Sequence, residues 1–246
     1  MLTSSLIHLG KILTYRIRVF TLPSSIYVMA VAVVIVFLRY LWEVLKHKYF
    51  IIVAGCRINY LLRSTSYRVS YKRLFLHDIS KLGRSEFWPY AEYFCGSKDI
   101  NQKKHDAFHV AWLHHVAHND HHCEHFISNY SQIAKQLRNN SELAQNYLRE
   151  MPDDAILELL VDNVAATRSY EGYWPNGEKK DGWTYMTKYF NHYVLHPKTR
   201  IKFGALLCAL GYTQVLPNEF DWTQIYRSDI SSDDRMKLAQ LKALAN

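Results

Sequence analysis

The spacing of apolar residues along the chain predicts helices throughout. Apolar side chains recur at intervals of three and four residues, which is the period of an amphipathic helix, and no segment clearly alternates like a strand. A long first helix is predicted over residues 24–60, where neither Pro nor Gly occurs before Gly55. We therefore expect an all-α fold. Further helices are predicted over residues 70–79, 86–94, 103–118, 121–137, 153–169, 184–195 and 198–211.

An apolar run at the start of the first helix has nearly the length that a bilayer requires. Residues 20–38 contain no charge, and residues 26–38 are all apolar or aromatic. About twenty apolar residues are needed to cross a bilayer. Basic and aromatic residues such as Arg39 and Trp42, which follow the run, are typical of a membrane interface. Residues 20–42 are thus predicted to form a single-pass membrane anchor; a buried helix or a helix on the membrane surface is the alternative.

The positive charge of the chain is concentrated around this apolar run. The 246 residues carry a net charge of +8, yet residues 1–75 hold eleven Lys or Arg and a single acid. Such asymmetry indicates an anionic partner for the N-terminal part. An anionic membrane fits better than nucleic acid because the apolar run lies between the charges. Nucleic acid is therefore not expected as a partner.

Composition favours one helical domain behind the anchor. Gly (9 residues) and Pro (6 residues) are scarce, and 49% of the chain is hydrophobic, which favours helices and suffices for a core. We predict a leader and anchor over 1–42, a helical domain over 43–215 and a polar C-terminal tail over 216–246. The four cysteines are widely spaced without a CxxC pair, which argues against a disulfide framework. A reducing, cytoplasmic location of the domain is expected, with a soluble cytoplasmic protein as the alternative.

Histidine density supplies the strongest indication of chemistry. Eight histidines lie within residues 105–125, after the pair His77 and Asp78, and neutral imidazole is a common metal ligand. His47 and Asp162 each fall on the apolar face of a predicted helix, where a carboxylate is costly unless it is paired or bound to a cation. Each residue alone is explained as core or solvated surface. Together, on separate helices, they predict a site for one or two divalent ions, with Mn, Fe, Zn and Ni all suitable.

Adjacent residues on a helix point about 100° apart, which limits how many histidines can ligate. One of His114 and His115, and one of His121 and His122, is expected to bind while its neighbour orients. His77 and Asp78 reach one ion only if a helix ends there. The candidate ligands are His47, His77, Asp78, His114, His115, His121, His122 and Asp162, with His118 and His125 as further candidates.

Catalytic roles can be assigned to four of the residues near this site. Asp78 would ligate and bridge two ions, and His115 would manage protons. Lys81 and Arg84, about a turn beyond Asp78, are expected to hold a substrate anion; a solvated basic turn is the alternative interpretation of both.

The order of these residues resembles a known signature. His47, His77 with Asp78, and Asp162 resemble the H…HD…D pattern of the HD-domain metal-dependent phosphohydrolase superfamily. The segments HKYFIIVAG, HDISKLGRSEFWPYAEYF and AWLHHVAHNDHH are similar to those of a family of small HD-like proteins without an assigned activity. The resemblance covers roughly residues 44–212.

The resemblance implies a helical bundle around one or two divalent ions. His47, His77, Asp78 and Asp162 would hold the first ion, and the intervening histidines match the extra ligands of dinuclear branches. It further implies hydrolysis of a small phosphorylated substrate, a phosphate ester or a nucleotide. A di-iron oxygenase on the same scaffold and a non-catalytic metal-binding or scaffolding protein are the alternatives.

Overall fold

The all-α prediction is confirmed. We analysed a computed structural model, which describes residues 24–97, 99, 101–139, 146–179 and 181–246. Within these ranges the regular structure is helical, and Ile127 and Leu148 form an isolated antiparallel bridge. The chain divides into two compact units, residues 1–35 and residues 36–246. The basic leader predicted for residues 1–20 lies outside the described residues.

Most helices lie where the apolar spacing places them. The longest, α1, supplies the N-terminal part of the second unit, and α2 ends immediately before His77. The bounds are α1 (Ser24–Leu61), α2 (Tyr71–Leu76), α3 (Phe87–Cys95), α4 (Gln102–His118), α5 (Tyr130–Asn139), α6 (Asp153–Ala166), α7 (Thr184–Tyr189), α8 (Pro197–Ala209) and α9 (Ser232–Ala245).

Helix α1 is long and apolar enough to cross a membrane. Its span Tyr27–Leu61 has a mean hydropathy of 2.2 in its most apolar stretch, and little of that stretch is buried. These are properties of length and composition, and a signal sequence or the core helix of a soluble protein can share them. The membrane anchor therefore stays a prediction.

The core of the second unit is built around α6 and α8. Ten of the residues of α6 are buried, as expected for a helix that is apolar on nearly every side. Helix α8 packs against α6, and α9 packs against α8. On the other side, Gly55 of α1 allows close approach of Leu74 from α2, because a Cβ at position 55 would lie 2.5 Å from the Leu74 methyl groups. This approach brings α1 beside the end of α2.

One predicted helix begins later than expected. The sequence predicted a helix from His121 to Leu137, but residues 120–122 form a turn, Cys123–Phe126 form a 3-10 helix and α5 begins at Tyr130. The Asn119 side chain donates to His115 O at 2.8 Å and so closes α4 instead of starting a new helix. The extended backbone of His122 prevents continuous helix across this segment.

The C-terminal residues 216–246 are not a peripheral tail, and that expectation is wrong. Ile225, Ile230, Leu238 and Leu241 are fully or almost fully buried in the main core. In α9 the two leucines are three residues apart, which places them on one face. The segment reads as polar because its other face is exposed to solvent.

A buried lysine ties this C-terminal helix to the core. Lys202 of α8 is 4% exposed, and its Nζ lies 3.0 Å from Glu150, 2.9 Å from Asp153 and 2.8 Å from Asp234. Removing it would leave these carboxylates close together without their cation. A buried pair broken on one side typically costs about 3–5 kcal/mol.

We predict that Lys202→Ala lowers the free energy of unfolding by about 3 kcal/mol. Lys198→Ala, at a more exposed lysine 3.7 Å from Glu150, should cost less than about 1 kcal/mol. Denaturant unfolding of the full chain, followed by circular dichroism, measures both. Burial alone would raise the pKa of Asp234, but the hydrogen bond from Lys202 holds it below its usual value. The contribution of this pair is therefore present above about pH 4 and lost as the pH falls further. Equal stability of the two variants would contradict the assignment.

Candidate metal centre

A helix end places His77 and Asp78 in one site. Ser70 caps α2 by accepting from Arg73 N, and the helix stops at Leu76. His77 leaves the helix with ψ 126°, and Asp78 adopts a left-handed conformation with φ 54°. Asp tolerates this region better than most residues. The change of direction brings His77 Nε2 to 3.3 Å from Asp78 Oδ2, and the helix ends before this pair as expected.

The structure brings seven of the eight predicted ligands into two adjoining groups, and a third group of His77, His121 and Glu158 overlaps both. One group consists of Asp78, His115, His121 and His122, and the other of His47, His77 and Asp162; within each group the ligand atoms lie within 4.8 Å of one another. The groups meet where His77 Nε2 lies 3.3 Å from Asp78 Oδ2. These residues can hold one divalent ion in each group, with Asp78 between them.

Three buried polar atoms at the meeting point lack a hydrogen bond within the described part of the chain. They are His77 Nε2, Asp78 Oδ1 and His121 Nε2. His115 Nε2 and His121 Nε2 approach Asp78 Oδ1 to 3.3 and 3.4 Å. Leaving a buried polar atom unpaired costs about 1–3 kcal/mol, and coordination to a cation relieves this cost. The donor set of imidazoles and carboxylates therefore fits a divalent metal.

Two buried glutamates orient the imidazoles, and sequence reasoning missed both. Glu158 of α6 accepts from His77 Nδ1 at 2.9 Å. Glu86, just before α3, accepts from His115 Nδ1 at 2.8 Å. Because an ionised carboxylate only accepts, the Nδ1 atoms carry protons, and Nε2 is the atom that each ring turns toward the ligand groups. Such carboxylate partners raise ligand basicity. Glu158 precedes Asp162 by four residues, so the two side chains share one helix face. That spacing was the sequence feature that indicated a place for Glu158 beside the site.

Arg73 supports this arrangement from outside. Its Nε donates to Glu158 Oε2 at 2.6 Å, and its other nitrogens contact Asp120 and Asp154. The guanidinium therefore connects α2 to α6 and to the turn that carries His121. This connection fixes the positions of three chain segments that supply ligands.

The carboxylates of the site stay ionised at neutral pH. Burial alone would raise the pKa of Asp78, but His77 and Lys81 beside it hold that pKa well below its usual range. Burial would also raise the pKa of Glu158, but hydrogen bonds from His121 and His77 lower it. The pKa of Asp162 is lowered against its burial by hydrogen bonds from His47 and His77. The ionised carboxylates supply the anionic oxygens that a divalent cation prefers.

The two predicted histidine pairs behave differently. Only His115 of the first pair joins a ligand group; His114 instead donates Nδ1 to Glu86 Oε1 at 2.7 Å and stacks on His118. His114 is therefore corrected from a candidate ligand to a partner of Glu86. Both His121 and His122 are in one group, because they lie in a turn and the divergence expected of helical neighbours does not apply.

The other candidate site residues differ in their distance from the ligand groups. Lys81 Nζ lies 2.5 Å from Asp78 Oδ2, whereas Arg84 is exposed and does not line the site cavity, so the anion-binding role of Arg84 stays a prediction that this cavity does not support. His118 and His125 bond backbone carbonyls of α4 through Nδ1, and neither belongs to a ligand group. The clustered histidines are thus divided between ligation and local structure.

The two candidate ligand groups open into a large cavity. The cavity has a volume of about 920 Å³, and its polar lining includes His47, His77, Asp78, His115 and His122. Its volume is at the upper end of the range for small-molecule pockets. A substrate can therefore reach the ligand groups from this cavity.

We predict that Glu158→Gln weakens binding of Mn²⁺ or Zn²⁺ by about 10–100-fold, since the amide can no longer fix His77 as a carboxylate does. Asp154→Asn is the matched control, because Asp154 contacts the same Arg73 but touches no ligand. Calorimetric titration of the full chain measures the affinities. Unchanged affinity in Glu158→Gln, or an equal loss in both variants, would argue against the orienting role.

Comparison with known proteins places the chain in a family but gives no activity. No curated protein and no solved structure matches it. A family model described as a family of unknown function, DUF5662, matches residues 37–207. This match includes every residue of the two ligand groups and most of the second unit. The chain belongs to the family of unknown function DUF5662.

Proposed function

We propose that the protein is a metal-dependent phosphohydrolase of the HD type, acting on a phosphate ester or nucleotide. One observation supports this most directly: two groups of imidazoles and carboxylates adjoin at Asp78, where buried ligand atoms lack hydrogen bonds within the described residues. A pair of divalent ions in such groups lowers the pKa of bound water and neutralises charge on a phosphoryl group. The order of His47, His77, Asp78 and Asp162 agrees with the HD pattern.

The residues around these groups have distinct tasks in hydrolysis. Lys81 is held beside Asp78, where its ammonium can contact a phosphoryl oxygen and keep the substrate near the ions. The Nε2 atoms of His115 and His122 lie 2.9 Å apart, so both rings face the same ligand group. We assign ligation to His122 and proton transfer to His115, because Glu86 behind His115 Nδ1 stabilises its protonated form.

Hydrolysis consumes one water molecule, and the protein returns to its starting state. The water oxygen forms a bond to phosphorus, and the bond from phosphorus to the ester oxygen breaks. His115 takes a proton from the attacking water and returns it to the leaving oxygen. The products are an alcohol and a phosphate.

We further infer that residues 20–42 anchor the protein in a membrane, with the metal-binding unit on the cytoplasmic side. The length and hydropathy of α1 support an anchor. The exposed Trp42 and the basic Arg39 after the apolar run agree with an interfacial position. The free state of the four cysteines agrees with a reducing compartment.

The test is turnover of general substrates by the full chain supplied with Mn²⁺, Ni²⁺, Zn²⁺ or Fe²⁺. We expect phosphate or alcohol release from nitrophenyl mono- or diesters, reduced about 100-fold or more in Asp78→Asn because the first ligand group loses its one carboxylate, which also adjoins the second group. The control is Asp229→Asn, an exposed aspartate paired with Arg227.

Two results would contradict hydrolysis. Oxygen consumption with Fe²⁺ and no ester cleavage would favour an oxygenase on the same ligand groups. Stoichiometric metal binding without turnover of any ester would favour a metal-stabilised scaffold.

A further inference from the structure

We propose that the cavity takes an amphipathic phosphate ester, with the phosphate at the metal-binding groups and an alkyl chain along an aromatic wall. The proposal deepens the hydrolase function and rests on it for turnover, although binding can be measured separately. The substrate would come from the lipid phase rather than from solution.

The lining of the cavity has two chemical characters. Beside the imidazoles and Asp78 it includes the aromatic side chains of Trp42, Phe94, Phe108 and Trp112. The apolar surface of the cavity is the larger part of its lining. A small polar ester would leave this wall in contact with water, whereas a hydrocarbon chain would cover it.

Tyr90 lies where the two parts of the lining meet. It lines the cavity and is 3% exposed, and its hydroxyl has no hydrogen bond within the described residues. Its ring centroid is 6.0 Å from that of His115 and 5.3 Å from that of Phe108. A buried hydroxyl between the ligand groups and the apolar wall is suited to donate to an ester or phosphoryl oxygen.

The charges of the lining favour an anionic head group. Three cations, Arg39, Lys48 and Lys81, line the cavity with two acids, Glu43 and Asp78. Glu43 is paired with Lys46 at 2.6 Å, and Asp78 belongs to the metal-binding groups. Lys81 is paired with Asp78 at 2.5 Å, so Arg39 and Lys48 are the lining cations without a carboxylate partner among the described residues, and they are available to an anion.

An exposed apolar stripe of α1 continues to the cavity. Leu38, Trp42, Leu45 and Tyr49 are all more than half exposed, and their spacing of four, three and four residues places them on one helix face. Trp42 belongs both to this stripe and to the cavity lining. A stripe of this kind is stable against lipid, so the cavity is bordered by a surface that suits a bilayer.

Chain-length dependence is the primary test. The full chain in nanodiscs of zwitterionic lipid is assayed for phosphate release from monoalkyl phosphates with two to twelve carbons. We expect kcat/KM to rise at least tenfold along the series, since each buried methylene contributes several-fold. A flat series with measurable turnover overturns the inference and leaves the hydrolase function intact.

Variants separate binding in the cavity from partition into the disc. Tyr90→Phe should lower kcat/KM for all esters at least fivefold, whereas Tyr67→Phe, which removes another buried hydroxyl without a hydrogen bond outside this cavity, should not. Trp42→Ala should flatten the chain-length dependence, and Trp88→Ala, an exposed tryptophan outside the lining, should keep it. Equal effects within either matched pair contradict the proposal.

A binding measurement makes the two proposals independent. Decyl phosphonate, which cannot release an alcohol by ester cleavage, is titrated into the same discs and compared with ethyl phosphonate. Tighter binding of the decyl compound that is lost in Trp42→Ala supports the amphipathic site even without turnover. Equal weak binding of both compounds rejects the site whatever the activity.

Discussion

Buried ionisable side chains must compensate one another, and this requirement shapes the centre of the molecule. His47, His77 and His115 share a small volume with the buried carboxylates Asp78 and Glu158. Each charge removed from water is costly without partners. His77 and His115 direct Nδ1 outward to glutamates and His47 directs Nδ1 to Ser169, which leaves the inner nitrogen and oxygen atoms facing one another. A divalent cation would complete this arrangement, because carboxylates and neutral imidazoles offer it electron pairs.

The helices act as a frame that holds these donors at fixed positions. Asp162 and Glu158 lie on α6, whose burial on nearly all sides leaves it little freedom to move. His47 is placed by the close approach of α1 to α2 at Gly55. Arg73 then connects α2 to Glu158. The site thus draws its geometry from packing that is independent of any ligand, as preorganised sites require.

Much of this centre was predictable because chemistry was visible in residue type. A carboxylate such as Asp162 on an apolar helix face and a His-Asp pair before Gly83 both signal an unusual environment. The end of α4 at residue 118 was predicted, but the start of α5 was not predictable in the same way. Asn119 can begin a helix or end one, and its bond to His115 O decides for the end. That single choice is why both His121 and His122 reach the site.

Long-range packing accounts for the other errors. Glu86 has no apolar periodicity around it that would indicate burial, and it becomes a partner of His114 and His115 only through the folding of α3 onto α4. Residues 216–246 look peripheral in the sequence because their many charged residues make the few buried apolar positions hard to recognise. Lys202, which lies on a different helix, neutralises the acids that face it.

The most direct test of this account is the metal content of the full chain after incubation with Mn²⁺, Fe²⁺, Zn²⁺ or Ni²⁺ and removal of the excess. Inductively coupled plasma mass spectrometry should find about two ions per chain with at least one of these metals, one for each ligand group. A content near zero with all four metals would contradict the central claim that these buried imidazoles and carboxylates form a metal centre.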